Sequence, residues 1–274
     1  MKIIIAPVDF STTSENAAFF ACQLASFYGA ELLLYHAYDL PVAIGEFAFP
    51  IFDTAEMQKA ADHELHLMKE RICEKLHYKL AIRSKADLNE FKDGLANLCD
   101  SLQPDLVVLG LSGKNPLTKL VVGSNTIKVV HDLKYPVLVV PPQCQFVPIR
   151  KIGFACDYDH LVETTPVALL KKIVQDFKAE LSVMNVDYQE AHFNDTAINE
   201  RNVMNNLLDN VKAEFHNINS ASVTEGVNWF VDKCQLDMVM IIPKKHTVFQ
   251  SLFRRSHTKD LMYHTHIPLL CVHQ

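Results

Sequence analysis

The chain has 274 residues and 49% apolar content, enough for one large domain or two of ordinary size with packed cores. A formal charge of −6 speaks against a nucleic-acid binder, and no apolar stretch is as long as a membrane-spanning helix. Seven scattered cysteines, odd in number and never spaced CxxC, suit reduced thiols in a cytoplasmic protein, and the opening MKIIIAPVDF lacks a signal peptide's long apolar region and cleavage site.

Lys2 to Ala6 reads as a first strand ended by Asp9. Thr12-Thr13-Ser14-Glu15 has the Ser/Thr-x-x-Glu form of a capping box, so a helix is expected to about Tyr28, with Gly29 as its stop. Ala30 to Tyr38 is continuously apolar, as in a strand covered on both faces. A loop rich in Pro, Gly and Phe is expected to Asp53, then a long amphipathic helix from Thr54 to His77. Lys79 to Ala86 reads as a short strand, and Leu88 to Leu102 as a helix.

Asp105 to Val140 is the most informative stretch. An apolar run, Leu106 to Leu109, is followed at once by Gly110 and Gly113. After nine intervening residues Gly123 and Ser124 open a helical segment, and a second apolar run, Val137 to Val140, follows Pro136. Strand, glycine loop, helix start and strand make a βαβ unit whose loop suits phosphate. Glycines leave room for a ligand against the main chain, and N–H groups at a helix start supply donors and positive potential.

After a linker at Pro141 to Val147 the pattern starts again. Lys151 to Cys156 matches Lys2 to Pro7, with Asp157-Tyr158 near Asp9-Phe10 after a gap of one residue. A helix begins around Thr165-Pro166, Ala179-Glu180-Leu181 repeats Ala30-Glu31-Leu32, and helices are expected at Ala197 to Ala213 and Val223 to Lys233. Asp237 to His273 aligns without a gap on Asp105 to Pro141, at a shift of 132 positions. At that shift Gly110, Gly113 and Gly123 become Ile242, Lys245 and Arg255, while Ser124 and Thr126 keep hydroxyls as Ser256 and Thr258. Side chains at the glycine positions would occupy the phosphate volume, so the second copy is expected to be a structural partner. The expected fold is α/β: two tandem doubly wound, Rossmann-like domains, 1–142 and 150–274, each with a five-stranded mostly parallel sheet flanked by helices.

The spacing Gly-x₂-Gly-x₉-Gly-Ser resembles the ATP-binding motif of the universal stress protein family, whose domains are of the adenine nucleotide α-hydrolase-like type. In nucleotide-binding members the first strand ends in Pro-x-Asp, here Pro7-Val8-Asp9, and the resemblance implies that Asp9 approaches the adenosine. It also implies a main-chain contact with adenine near Ala37, a border to base and ribose at Leu109 and Gly110, and a phosphate wrap from Gly113, Gly123, Ser124, Asn125 and Thr126. The implied ligand is ATP or AMP, with or without Mg²⁺. Plainer roles stay open beside these: Asp9 or Ser124 as helix caps, and Lys114 and Lys119 as solvated loop residues.

His264-x-His266 is too closely spaced for a zincin pair, and the basic group from Lys244 to Lys259 reads better as a solvated face than as an anion site. No Walker loop or nucleophile elbow is present. The implied protein is therefore a nucleotide sensor of the stress response, not a dedicated enzyme, acting through an unknown protein partner; weak ATP hydrolysis would not be surprising. A nucleotide-independent interaction scaffold and an enzyme of the wider α-hydrolase-like group are the alternatives. Single-copy relatives pair through their last strands, so Val137–Val140 and Leu269–Val272 are expected to pair within the chain as an internal pseudo-dimer, with a homodimer of whole chains left open. Neither a nucleic acid nor a membrane is an expected partner.

Overall fold

The computed structural model describes residues 1–40, 53–76, 80–111, 124–156, 161–187, 195–242 and 266–273. The first half contains β1 (Ile3–Pro7), α1 (Thr12–Tyr28), β2 (Glu31–Tyr38), α2 (Thr54–Lys75), β3 (Ile82–Leu88), α3 (Phe91–Leu102), β4 (Leu106–Gly110), α4 (Ser124–Asp132) and β5 (Val137–Val140). The second contains β6 (Lys151–Ala155), α5 (Leu161–Thr164), α6 (Val167–Phe177), β7 (Glu180–Asp187), α7 (Asp195–Leu207), β8 (Ala213–Asn219), α8 (Val223–Cys234), β9 (Met238–Ile241) and β10 (Leu269–Cys271).

The strands form one ten-stranded sheet in the order β3-β2-β1-β4-β5-β10-β9-β6-β7-β8. Pairing is parallel within each half. Parallel strands need helical crossovers, which cover both faces and explain the unbroken apolar runs. Among the described residues the one antiparallel seam joins β5 to β10, with Leu138 opposite Leu270. Side chains alternate across the sheet. Ile4, Leu106, Leu138, Ile152 and Leu270 belong to one apolar layer, and Ile5, Val107, Val139, Val239 and Leu269 to the other. Each layer therefore continues across the seam.

The repeat is visible in the hydrogen bonds. Asp105 Oδ2 accepts from the main-chain N–H groups of Lys2 and Ile3 at 2.6 and 3.1 Å, and Asp237 Oδ2 accepts from those of Arg150 and Lys151 at 2.7 and 2.8 Å. Val8 N donates to Tyr35 O, and Cys156 N to Met184 O. These pairs match Lys151 with Ile3, at a shift of 148. The sequence alignment of Lys151 with Lys2 was out by one residue, and correcting it removes the gap, since Asp157 then falls on Asp9 by count alone. Asp157 itself lies outside the described residues.

Other boundaries moved for local reasons. Phe10 adopts the left-handed region at φ 61°, which turns the chain so that Ser11, not Thr12, caps α1. Ser11 Oγ accepts from Ser14 N at 3.2 Å in place of the expected capping box. β3 starts at Ile82 and keeps Leu88 as a strand residue paired with Tyr38. Glu90 caps α3 by accepting from the N–H groups of Lys92 and Asp93. α7 ends at Leu207, and Ala213 to Asn219, which the sequence reading joined in part to that helix, is an edge strand. Its mostly uncovered sequence AEFHNIN lacks the apolar run that marked the other strands. The linker lies against α1: Asn16 Nδ2 donates to Cys144 O at 3.1 Å, and Phe20 meets the Phe146 ring at 5.3 Å.

Candidate functional site

In the first half β1 leads to β2 on one side, and β4 and β5 lie on the other, so the winding reverses between β1 and β4. Crossovers leaving in opposite directions open a crevice at the carboxyl ends of those strands, where doubly wound folds take ligands. A cleft of about 210 Å³ lies there. Among the described residues it is lined by Pro7 at the end of β1 with Val8 and Asp9 behind it, Leu109 and Gly110 at the end of β4, and Asn125 and Thr126 in the first turn of α4. Ser14, Ala37, Asp39 and Phe91 complete the lining.

Seven of the ten expected residues thus meet at one cleft: Pro7, Asp9, Ala37, Leu109, Gly110, Asn125 and Thr126. Ser124 is the first residue of α4. Gly113 and Gly123, with Lys114 and Lys119, lie outside the described residues, as do Lys245, Arg255 and His264 of the second half. Sequence reasoning named no role for Ser14, Asp39 or Phe91. Asp39 follows directly on β2, and the rule that ligands collect at carboxyl ends of parallel strands would have pointed to it.

Asp9 is held in a fixed local arrangement. Its Oδ1 accepts from Ser11 Oγ at 2.6 Å and from Ser11 N at 3.1 Å, while its own N–H donates to Ser14 Oγ at 3.3 Å. Burial acts to raise the carboxyl pKa, but the hydrogen bonds from Ser11 and Ser14 outweigh it and hold the group below the ordinary aspartate range. Asp9 is therefore an anion at neutral pH, able to accept from hydroxyl groups. The preceding carbonyl is held as well: His36 Nδ1 lies 2.8 Å from Val8 O, and the Phe10 ring packs on His36 at 4.4 Å. The expected helix-capping role of Asp9 passes to Ser11, which Asp9 orients.

Gly110 has a reason that sequence could not supply. A Cβ on it would lie 2.7 Å from the carbonyl oxygen of Thr13, so β4 reaches the start of α1 only without a side chain. Buried Thr126 donates from Oγ1 to Gly110 O at 3.4 Å, a long bond that ties the start of α4 to the same strand end. The N-terminal turns of α1 and α4 thus both open on the cleft, with the N–H groups and dipoles that favour an anion.

The universal stress protein family model matches residues 1–141, and the chain belongs to that family. Over its whole length the chain is similar to the crystal structure of a universal stress protein from Archaeoglobus fulgidus DSM 4304, at 14% identity and a TM-score of 0.73, covering 99% of this chain and 96% of that one. It is also similar to a functionally unknown protein from Pseudomonas aeruginosa PAO1, at 12% identity and a TM-score of 0.60, covering 100% of this chain and 92% of that one. A universal stress protein solved in complex with cAMP matches at 22% identity and a TM-score of 0.41, over 52% of this chain and 98% of that one. At such identities the first two likenesses are ones of fold. No curated protein matches the chain. No helix among the described residues is long and apolar enough to cross a membrane. Among the same residues no cluster of three or more His, Cys, Asp or Glu side chains is placed to hold a metal ion.

Proposed function

We propose that the first half of the chain binds an adenine nucleotide, ATP or AMP, and that the protein acts as a nucleotide sensor of the stress response through contacts with a partner protein. The observation that carries this reading is the position of the cleft at the reversal of strand order, between the starts of α1 and α4. The lining suits the ligand. Asp9 offers an ionised acceptor to ribose hydroxyls, the bare main chain at Gly110 permits close approach, and Asn125 and Thr126 stand in the first turn of a helix. At about 210 Å³ the cleft among the described residues is smaller than the roughly 300–1,000 Å³ of common ligand sites. Mg²⁺, when present, would be carried mainly by phosphate oxygens and water.

We assign the two functions to two domains, 1–142 for nucleotide and 150–274 as its structural partner, acting in the cytoplasm. In this reading the protein regulates through binding and not through turnover. Equilibrium binding of labelled ATP to wild type and to Gly113→Lys tests the reading. Saturable binding that the substitution abolishes is the expected result. Equal, negligible binding by both proteins would remove it in favour of a nucleotide-independent scaffold, and turnover above background with Mg²⁺ would favour the enzyme.

A further inference from the structure

The two halves fill the space beneath their third long helices differently. In the first half the strand position is Ala37 and the opening residue of α3 is Phe91; both pack at the edge of the apolar layer that contains Leu109, and both line the cleft. In the second half the matching positions are Val186 and Val223, by shifts of 149 and 132. Val223 is buried, and Val186 Cγ1 sits only 2.6 Å from where a Cβ on Gly226 would be, so that side chain packs directly on the backbone of α8. Two medium aliphatic residues close the second arrangement. In the first half buried Tyr35, with its hydroxyl against the backbone of Gly94, fills the place that Val186 takes beneath α8, and Ala37 and Phe91 are left to line the cleft.

We propose that Phe91 is the specificity-determining residue of the cleft: its ring, with Ala37 and Leu109, forms the wall that takes the flat heteroaromatic base. This rests on the nucleotide reading above and extends it to a residue outside the phosphate motif. The lining divides by chemistry. Phe91, Ala37 and Leu109 make an apolar side, and Asp9, Asn125 and Thr126 a polar one. A base has a π-face that an aromatic ring can hold, whereas sugar and phosphate need acceptors and donors. Phe91 is well placed for this because Glu90 fixes the first turn of α3 through Lys92 N and Asp93 N, independently of the ring. Ala37 matters for the converse reason: a larger side chain there would occupy the place of the base, as Val186 occupies its own site.

Titration of the full chain with ATP and, separately, with inorganic tripolyphosphate tests the proposal. Phe91→Ala should weaken ATP binding about tenfold or more, the scale of a lost base stack, and leave tripolyphosphate within about twofold. Phe91→Tyr, which keeps the ring, should bind ATP like wild type, and Ala37→Val should weaken ATP selectively. Unchanged ATP affinity in Phe91→Ala, or equal weakening toward both ligands, would overturn the assignment while leaving nucleotide binding intact. Wild-type protein that binds tripolyphosphate but not ATP would also overturn it. Wild-type protein that binds neither would remove the nucleotide reading itself and this inference with it.

Discussion

The carboxyl ends of β1 and β4 in the first half and of β6 and β9 in the second are built on the same plan and finished differently. Both halves anchor the strand start on an aspartate that accepts two main-chain N–H groups. Both hold the carbonyl after the first strand from the second strand, through His36 on Val8 O and Asn185 Nδ2 on Cys156 O. They part at the next step. α1 begins at Thr12, close behind Pro7, and its first turn touches Gly110. In the second half the described helix begins at Leu161, which falls on Thr13 at the shift of 148, but α5 ends at Thr164 and α6 follows only from Val167; buried Ile242 stands at the position of Gly110. A side chain is accommodated at Ile242 and excluded at Gly110, where the Thr13 carbonyl stands in its way. The lesson is that a cleft in this fold depends on what the first helix presents to the end of the fourth strand, as well as on the glycines that follow it.

Exchanging the two finishing residues is the strongest way to break this comparison. Ile242→Gly should cost about 2–5 kcal/mol, because it empties a packed buried site, and should create no nucleotide binding. Gly110→Ile should cost about 1–3 kcal/mol by forcing a Cβ against Thr13 and should abolish ATP binding. Denaturant unfolding gives the first quantity and ligand titration the second. A Gly110→Ile protein of wild-type stability would mean that α1 retreats easily, and the contrast between the halves would lose its cause.

A smaller effect tests what the halves share. Burial acts to raise the Asp105 carboxyl pKa, but hydrogen bonds from Lys2 N and Ile3 N, with the charges of the chain terminus and Lys172, outweigh it and hold it below the ordinary range. A depressed folded-state pKa contributes stability above the unfolded value, near 3.9, and that stability is lost as pH falls through the folded value. Asp105→Asn should therefore cost roughly 1 kcal/mol at pH 7, a cost that shrinks below about pH 4. Unfolding free energies at pH 7 and pH 3 measure it, and a gap that widened on acidification would contradict the assignment.

The smallest expected effect concerns the contact between the halves. Phe27 of α1 and Phe177 of α6 stack at 4.8 Å with rings 14° apart, but Phe27 is 49% exposed. A double-mutant cycle with alanine should give a coupling of about 0.5 kcal/mol, the low end for aromatic pairs. Zero coupling would leave the continuous apolar layers and the β5–β10 seam as the main joints between the halves.

Much of this was legible along the chain. Continuous apolar runs marked the parallel strands, because covered strands have no wet face to alternate toward. The shift from Asp105 to Asp237 exposed the repeat, and it showed glycines replaced in one copy only. The resemblance to the universal stress protein motif implies one common site for Pro7, Asp9, Leu109, Gly110, Asn125 and Thr126. β8 was not legible, since an edge strand with little burial writes no apolar signal. Nor is Ser11 legible as the cap, because the left-handed turn at Phe10 decides it.

By itself the sequence determined the classes of element, their duplication and the family motif, because those follow from local burial patterns and spacing. Tertiary structure alone decided the register of the repeat, the contact of Gly110 with Thr13, and the exchange of Ala37 and Phe91 for Val186 and Val223. Each of these depends on which residues, far apart in the chain, come to share one small volume. No periodicity records that.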